Sequence, residues 1–157
     1  MAFKWGIIGP GNIAHEFTHD LKYVNGQEHL VQAIVAKDLE SAHEFAQQEN
    51  VNEWYDSIGS FLDNSEVDAV YIATPHTLHA EQAIQCLSKQ IPVLCEKPLA
   101  INSEQVQEMI RCSESHNTFL MEGMWIRFLP SIQKTLDLIE SGGIGKVLHL
   151  HADMSYR

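Results

Sequence analysis

Residues 6–14 read GIIGPGNIA. The apolar run FKWGIIG (3–9) leads into this stretch, and a helical pattern over roughly 12–23 leaves it. Gly9, Gly11 and Ala14 match the spacing G-x-G-x-x-[G/A], and each small residue has its own physical reason. Gly9 permits a tight turn, Gly11 lets main chain approach a pyrophosphate, and Ala14 lets the helix lie close to the strand. The N–H groups and positive dipole end of that helix face the phosphates, which sets Gly9, Pro10, Gly11, Asn12 and Ile13 against a dinucleotide. A glycine pattern alone is a weak signal, because a glycine-rich turn need bind nothing. Here a strand precedes it and a helix follows it, at the head of a chain that repeats the same alternation.

Outward from this stretch, short β-rich runs recur at 29–36, 68–74, 91–96 and 118–122. Helical patterns at roughly 39–49, 58–63, 77–89 and 103–115 separate them. Continuous apolar strands between turns fit a parallel sheet covered on both faces. Alternation this regular means βαβ units and an α/β class, here a Rossmann-type doubly wound parallel sheet over residues 1–123. Asp38 can cap the helix at 39–49, and Asn102 or Ser103 the helix that follows. Residues 124–157 differ. SIQKTLDLIE (131–140) reads as a helix stopped by Gly142 and Gly143. GKVLHLHADMSYR then alternates, with Leu148, Leu150 and Ala152 on one face and His149, His151 and Asp153 on the other. That is the pattern of a half-buried strand, expected to open a C-terminal α/β open-sheet domain of a longer enzyme.

Composition narrows the function classes. The chain has 157 residues and a formal net charge of −11, which argues against a nucleic-acid partner because a phosphate backbone attracts basic surfaces. There is no 18-residue apolar run, so no membrane span is expected. The start, MAFKWGIIG, lacks a signal peptide's apolar core, and the three cysteines lack CxxC spacing. Both point to a reduced, cytoplasmic protein.

The choice of dinucleotide turns on the end of the second strand. An NAD-specific fold usually carries Asp or Glu there for the ribose 2′-hydroxyl. This strand ends IVAKD, so Ala36 holds that place and the cation Lys37 follows. Asp38 lies two residues late and has a sufficient role as a cap. The arrangement favours NADP, with NAD as the alternative.

In such a sheet, ligands bind outside the carboxyl ends of the strands. Three tips carry chemistry: TPHTLHA from Thr74, EKPLA from Glu96, and GMWIRFLP from Gly123. Together with the glycine loop, ATPHTLHAEQA, VLCEKPLAIN and MEGMWIRFLP resemble the Gfo/Idh/MocA oxidoreductase family, and most nearly its dihydrodiol dehydrogenase-like branch. The resemblance covers nearly the whole chain. It implies an NAD(P)-dependent enzyme that moves hydride to or from a secondary alcohol or ketone of a sugar, polyol or cyclic trans-diol. An inositol or sugar dehydrogenase of another branch and a non-catalytic nucleotide-binding module are the alternatives. It implies Lys97 as the catalytic lysine, in contact with substrate, relaying the proton an alcohol loses as hydride leaves. It further implies that Thr74, Pro75, His76 and His79 lie on the cofactor side, that Glu96 reaches ribose or amide groups, that Trp125 walls the substrate pocket, and that Arg127 meets the cofactor. Relatives add an Asp, His or Tyr from later in the chain, and Tyr156 falls too early to serve. A homo-oligomer, dimer or tetramer, is the implied assembly of the full-length enzyme.

Other suggestive residues have plainer accounts. His15 and His19 have i,i+4 spacing, but no HExxH pattern or third ligand accompanies them, so no metal is expected. Adjacent residues at a strand tip point apart, so Glu96 and Lys97 are not expected to pair.

Overall fold

Along the first strand, successive side chains point to opposite faces, and both faces are buried: Ile7 packs with one apolar cluster and Ile8 with another. The split recurs at Ile34 and Val35 and at Tyr71 and Ile72. A strand apolar on both sides forms only between two helical layers. The computed structural model, which describes residues 1–153, shows those layers.

Six strands form one parallel sheet. They are β1 (Phe3–Ile8), β2 (His29–Val35), β3 (Glu53–Tyr55), β4 (Ala69–Ile72), β5 (Val93–Cys95) and β6 (Leu120–Glu122), in the order β3-β2-β1-β4-β5-β6. The helices α1 (Asn12–Asp20) and α2 (Leu39–Glu49) place Ala14, Phe45 and Ala46 on one face. On the other face, α3 (Ile58–Asn64), α4 (His79–Ser88) and α5 (Ser103–His116) place Phe61, Ala83, Leu87 and Met109. Phe61 packs so closely on β1 that a Cβ at Gly6 would lie 2.4 Å from its ring. The caps follow local chemistry: Asp38, Ser57 and Asn102 each accept a main-chain N–H three residues on. Asn50 and Asn117 end α2 and α5 in the left-handed conformation.

Register aligns the site. Ile8 pairs with Val35 and Ile72, Val35 with Tyr55, Ile72 with Cys95, and Cys95 with Glu122. One row of paired residues therefore crosses all six strands at their carboxyl ends, and every loop of interest leaves from it.

Two expectations need correction. β3 was not expected, because EWY is three residues with a charged member. It is an edge strand defined by pairing with Ala33–Val35 and not by its own apolar run. The strand expected near the C-terminus does not form over 147–153, where Leu148 and Leu150 are exposed. A strand satisfies its main chain only against a neighbour, and past Glu122 the described residues contain none. Tyr156 lies outside the described residues.

The chain divides into two compact units, Met1–Gly123 and a second that begins at Met124. The second holds a 3-10 turn (Trp125–Phe128) and α6 (Pro130–Glu140), which starts with proline in its first turn. The α6 terminus closes as its glycines suggested, with Gly143 N–H donating to the Leu138 carbonyl and Gly142 at φ +71. No helix is long and apolar enough to cross a membrane among the described residues.

Burial decides how the cysteines behave. Cys86 and Cys95 are fully buried, and burial pushes each thiol up to about 12; Cys112 is half-buried. The folded chain should therefore expose a single reactive thiol to a disulfide-exchange reagent at neutral pH, and the urea-unfolded chain all three. Three fast thiols in the folded chain would contradict this packing.

Candidate cofactor cavity and lysine turn

The carboxyl-end row opens into a cavity of about 430 Å³ at the point where strand order reverses, between β1 and β4. Its floor is the glycine loop. Gly9 sits at φ +100, and a Cβ there would meet Thr74 Cγ2 at 2.8 Å and the Ala73 carbonyl oxygen at 2.9 Å, so only glycine fits. Gly11 differs. Its φ of −78 suits any residue, and a Cβ would find no atom of the chain nearer than 3.9 Å. The chain's own packing thus gives no reason for glycine at 11, and the open space beside it suits a ligand. No side chain caps α1, in contrast to α2, α3 and α5, so its first N–H groups lack a side-chain partner at the cavity.

One side wall comes from the β2 tip, with Ala36, Lys37 and Ser41; the other comes from the β4 tip, with Ala73, Thr74 and Pro75. Ala36 is buried and donates its N–H to the Tyr55 carbonyl, while Lys37 is exposed. Asp38 is engaged as the α2 cap, accepting Ser41 N–H at 2.8 Å. That bond holds its carboxyl below the usual carboxylate range, with the Lys37 charge a smaller cause. Thr74 Oγ1 bonds Gln82 Oε1 at 2.5 Å. Sequence reasoning missed Ser41, Asp56, Ile58, Leu78 and Gln82 on this wall: the first three lie in a helix or turn with no motif of their own, and Leu78 and Gln82, though inside ATPHTLHAEQA, were not singled out from it.

Beside the cavity, the turn after β5 carries Lys97, which is exposed, and a cis bond joins Lys97 to Pro98. Three side chains hold main-chain groups of three consecutive residues in this turn. Glu96 Oε2 accepts from Lys97 N–H at 3.2 Å. Glu122 Oε1 accepts from Leu99 N–H at 2.8 Å. Between them, His79 Nδ1 lies 2.9 Å from the Pro98 carbonyl oxygen. Glu96 Oε1 in turn accepts from the Tyr71 hydroxyl at 2.8 Å. Burial first, and then the bonded Glu96 carboxylate, pushes the Tyr71 phenol far up, so it stays a donor. A side chain at 123 would press on this carboxylate, because a Cβ on Gly123 would lie 3.2 Å from Glu96 Oε1.

Of the residues expected to meet a cofactor, Gly9, Pro10, Gly11, Ala36, Lys37, Thr74 and Pro75 line the cavity together. Asn12 and Ile13 open α1 beside it, and His76 is exposed on the 3-10 turn before α4. His79 calls for a revised account. It is fully buried, and its Nε2 lies 2.8 Å from the Thr74 carbonyl oxygen, so neither ring nitrogen is left for a ligand. Both partners only accept; a neutral ring donates to one of them and a doubly protonated ring to both. Glu96 likewise has both oxygens engaged within the chain, which accounts for a glutamate there without a ligand. Trp125 and Arg127 belong to the second unit and stand exposed on its 3-10 turn. His15 and His19 do have an acidic neighbour, Glu49, at 2.5 and 3.1 Å, but among the described residues no His/Cys/Asp/Glu group could hold a metal.

Comparison with known proteins gives the same picture. Residues 3–124 match the oxidoreductase family with an NAD-binding Rossmann fold designated GFO_IDH_MocA. The trans-1,2-dihydrobenzene-1,2-diol dehydrogenase of Mus musculus is 37% identical over 156 residues, covering 99% of this chain and 47% of that protein. The chain thus spans about half the length of such relatives. Among solved structures, an oxidoreductase from Agrobacterium radiobacter in complex with NAD+, L-tartaric acid and magnesium is 26% identical with a TM-score of 0.82, covering 92% of this chain and 42% of that one. A 3-ketoreductase from Actinomadura kijaniata in complex with TDP-benzene and NADP is 26% identical with a TM-score of 0.81, covering 94% and 45%.

The two glycines separate packing from binding. Gly9→Ala should lower stability by about 1–3 kcal/mol in urea unfolding, through strain at positive φ. Gly11→Ala should leave the unfolding midpoint nearly unchanged and weaken binding of a nicotinamide dinucleotide in a fluorescence titration. Equal loss of stability in both would show that Gly11 serves packing alone.

Proposed function

This chain belongs to the Gfo/Idh/MocA oxidoreductase family, in its dihydrodiol dehydrogenase-like branch, and from that premise we propose an NADP-dependent dehydrogenase acting on a secondary alcohol or ketone of a polyol, sugar or cyclic trans-diol. The observation that carries the reading is the lysine turn. An exposed lysine stands on a main chain held at three consecutive residues, one strand away from a cavity with an open N-terminal helix end. A bound nicotinamide cofactor supplies the hydride chemistry.

The chain's own residues do the rest. The glycine loop and the α1 N-terminus hold the diphosphate. Lys37 and Ser41 present an ammonium and a hydroxyl to a 2′-phosphate, and Asp38, occupied as a cap, does not compete for a ribose hydroxyl. Ile58 and Leu78 give the cavity apolar wall that suits a planar base. Asp56 is the one acid on that wall among the described residues, and it follows β3, not β2. In oxidation the unprotonated amine of Lys97 takes the hydroxyl proton and becomes an ammonium; in reduction that ammonium returns it, and the fixed turn keeps one geometry for both directions. Trp125 and Arg127 are assigned to the substrate pocket and the cofactor by the family resemblance. The three cysteines are unpaired, which suits a cytoplasmic enzyme, and a homo-oligomer is the assembly proposed for the full-length protein.

Two measurements test this. Fluorescence titration should show NADPH bound more tightly than NADH, with Lys37→Ala raising the NADPH dissociation constant by about tenfold or more and leaving NADH nearly unchanged, as loss of a charge-assisted bond predicts. A preference for NADH that Lys37→Ala does not alter would overturn the choice of cofactor. In a chain of the relatives' full length assayed on polyols and trans-diols, Lys97→Ala should reduce turnover by about 10²–10⁴-fold with cofactor affinity kept. Near-normal rates would remove Lys97 from the chemistry.

A further inference from the structure

His79 has no exposed surface, yet it is polar at both ring nitrogens and spans two separate segments. Buried polar groups persist where they are bonded, and each ring nitrogen here faces a distinct carbonyl. Nε2 meets the carbonyl of Thr74, whose residue lines the cofactor cavity. Nδ1 meets the carbonyl of Pro98, whose peptide joins it directly to Lys97. The ring sits at the first residue of α4, packed behind both loops, with Ala80 and Ala83 of the same helix in the core. Glu96 and Glu122 fasten the lysine turn at its N–H groups, through side chains carried on β5's end and on β6. Glu96 also reaches β4 itself, donating its N–H to the Ile72 carbonyl and accepting from the Tyr71 hydroxyl, whereas His79 meets the loop beyond β4, at Thr74.

We propose that His79 is a positioning residue that fastens the Lys97–Pro98 turn to the cofactor-side loop at Thr74, so that the lysine and the cofactor wall keep one fixed relation. The proposal rests on the dehydrogenase reading, in which both loops serve one reaction. Misplacing a reacting group by about 1 Å can cost on the order of 10²-fold in rate, so an arrangement holding both loops through one ring has a direct kinetic consequence.

The two nitrogens can be separated. An asparagine amide nitrogen falls near the place of Nδ1 and a glutamine amide nitrogen near that of Nε2. H79N therefore keeps the bond to Pro98 and loses that to Thr74; H79Q does the reverse. With folding checked by thermal melts, H79Q should lower kcat on the order of 10²-fold and shift the NMR signal of ¹³C-methylated Lys97, with NADPH affinity held. H79N cuts the same link at its other end and should lower kcat to a similar degree, with the Lys97 signal displaced less than in H79Q. Wild-type kcat in either folded variant, or an unmoved Lys97 signal in H79Q, would overturn the proposal. Should either variant fail to fold, the unmodified chain decides: NMR couplings across hydrogen bonds from His79 Nδ1–H to the Pro98 carbonyl carbon and from Nε2–H to the Thr74 carbonyl carbon together support it, and the absence of either overturns it. Failure of the dehydrogenase reading shows separately, as absent NADPH binding or turnover in the unmodified protein, while the Lys97 signal still reports on the fastening.

Discussion

The loops that form the candidate site in the first unit leave from one row of six residues: Tyr55, Val35, Ile8, Ile72, Cys95 and Glu122. Parallel pairing is what makes that row useful. In an antiparallel sheet, alternate strands would end at opposite edges, and the glycine loop, the Lys37 loop, the Thr74 loop and the lysine turn could not share an edge. Burial enforces the register. Val35, Ile8, Ile72 and Cys95 are all nearly inaccessible, and a slip of one residue would turn each strand's apolar set to the wrong helical layer. The alignment of the site is thus a by-product of core packing, and no site residue has to enforce it.

Beyond the row, main chain must be held without strand pairing, and the site solves this with side chains. Glu96, His79 and Glu122 replace the missing ladder around Lys97, Pro98 and Leu99. Proline contributes by removing one N–H that would otherwise need a partner. The glycine loop takes the other course: Gly9 bends against Ala73 and Thr74, and the first N–H groups of α1 are left without a side-chain cap. Main-chain groups held by side chains lie around Lys97, and the first donors of α1 carry no side-chain cap. Under the proposed function, that difference separates a place for chemistry from a place for a phosphate.

This division also explains what could be read before the structure. Local patterns carried the strands β1, β2, β4, β5 and β6, the main helices, the Asp38 and Asn102 caps and the glycine loop, because each depends on neighbours within a few residues. β3 escaped because its identity lies in pairing with Ala33–Val35, some twenty positions away. Tyr71 and Glu122 escaped for the same reason: their partners, Glu96 and Leu99, lie 25 and 23 positions distant. His79 was visible as a helix-start histidine that reads as a ligand or as an anchor of nearby main chain; its contact with Pro98, 19 positions away, was not. The alternation at 147–153 shows the opposite failure: a sound local pattern with no neighbour to complete it among the described residues.

The lysine turn is therefore complete within the first unit. Tyr71, His79, Glu96 and Glu122 all precede Met124, so the geometry of Lys97's main chain does not wait for the second unit or for a substrate. A group whose backbone is fixed beforehand loses little freedom at the moment of reaction, and the free energy of binding substrate need not be spent on ordering it. What stays adjustable is the exposed side chain itself. Under the proposed function, a held backbone beneath an exposed lysine side chain suits a proton relay, because the amine can follow the hydroxyl hydrogen while the turn that carries it stays in place.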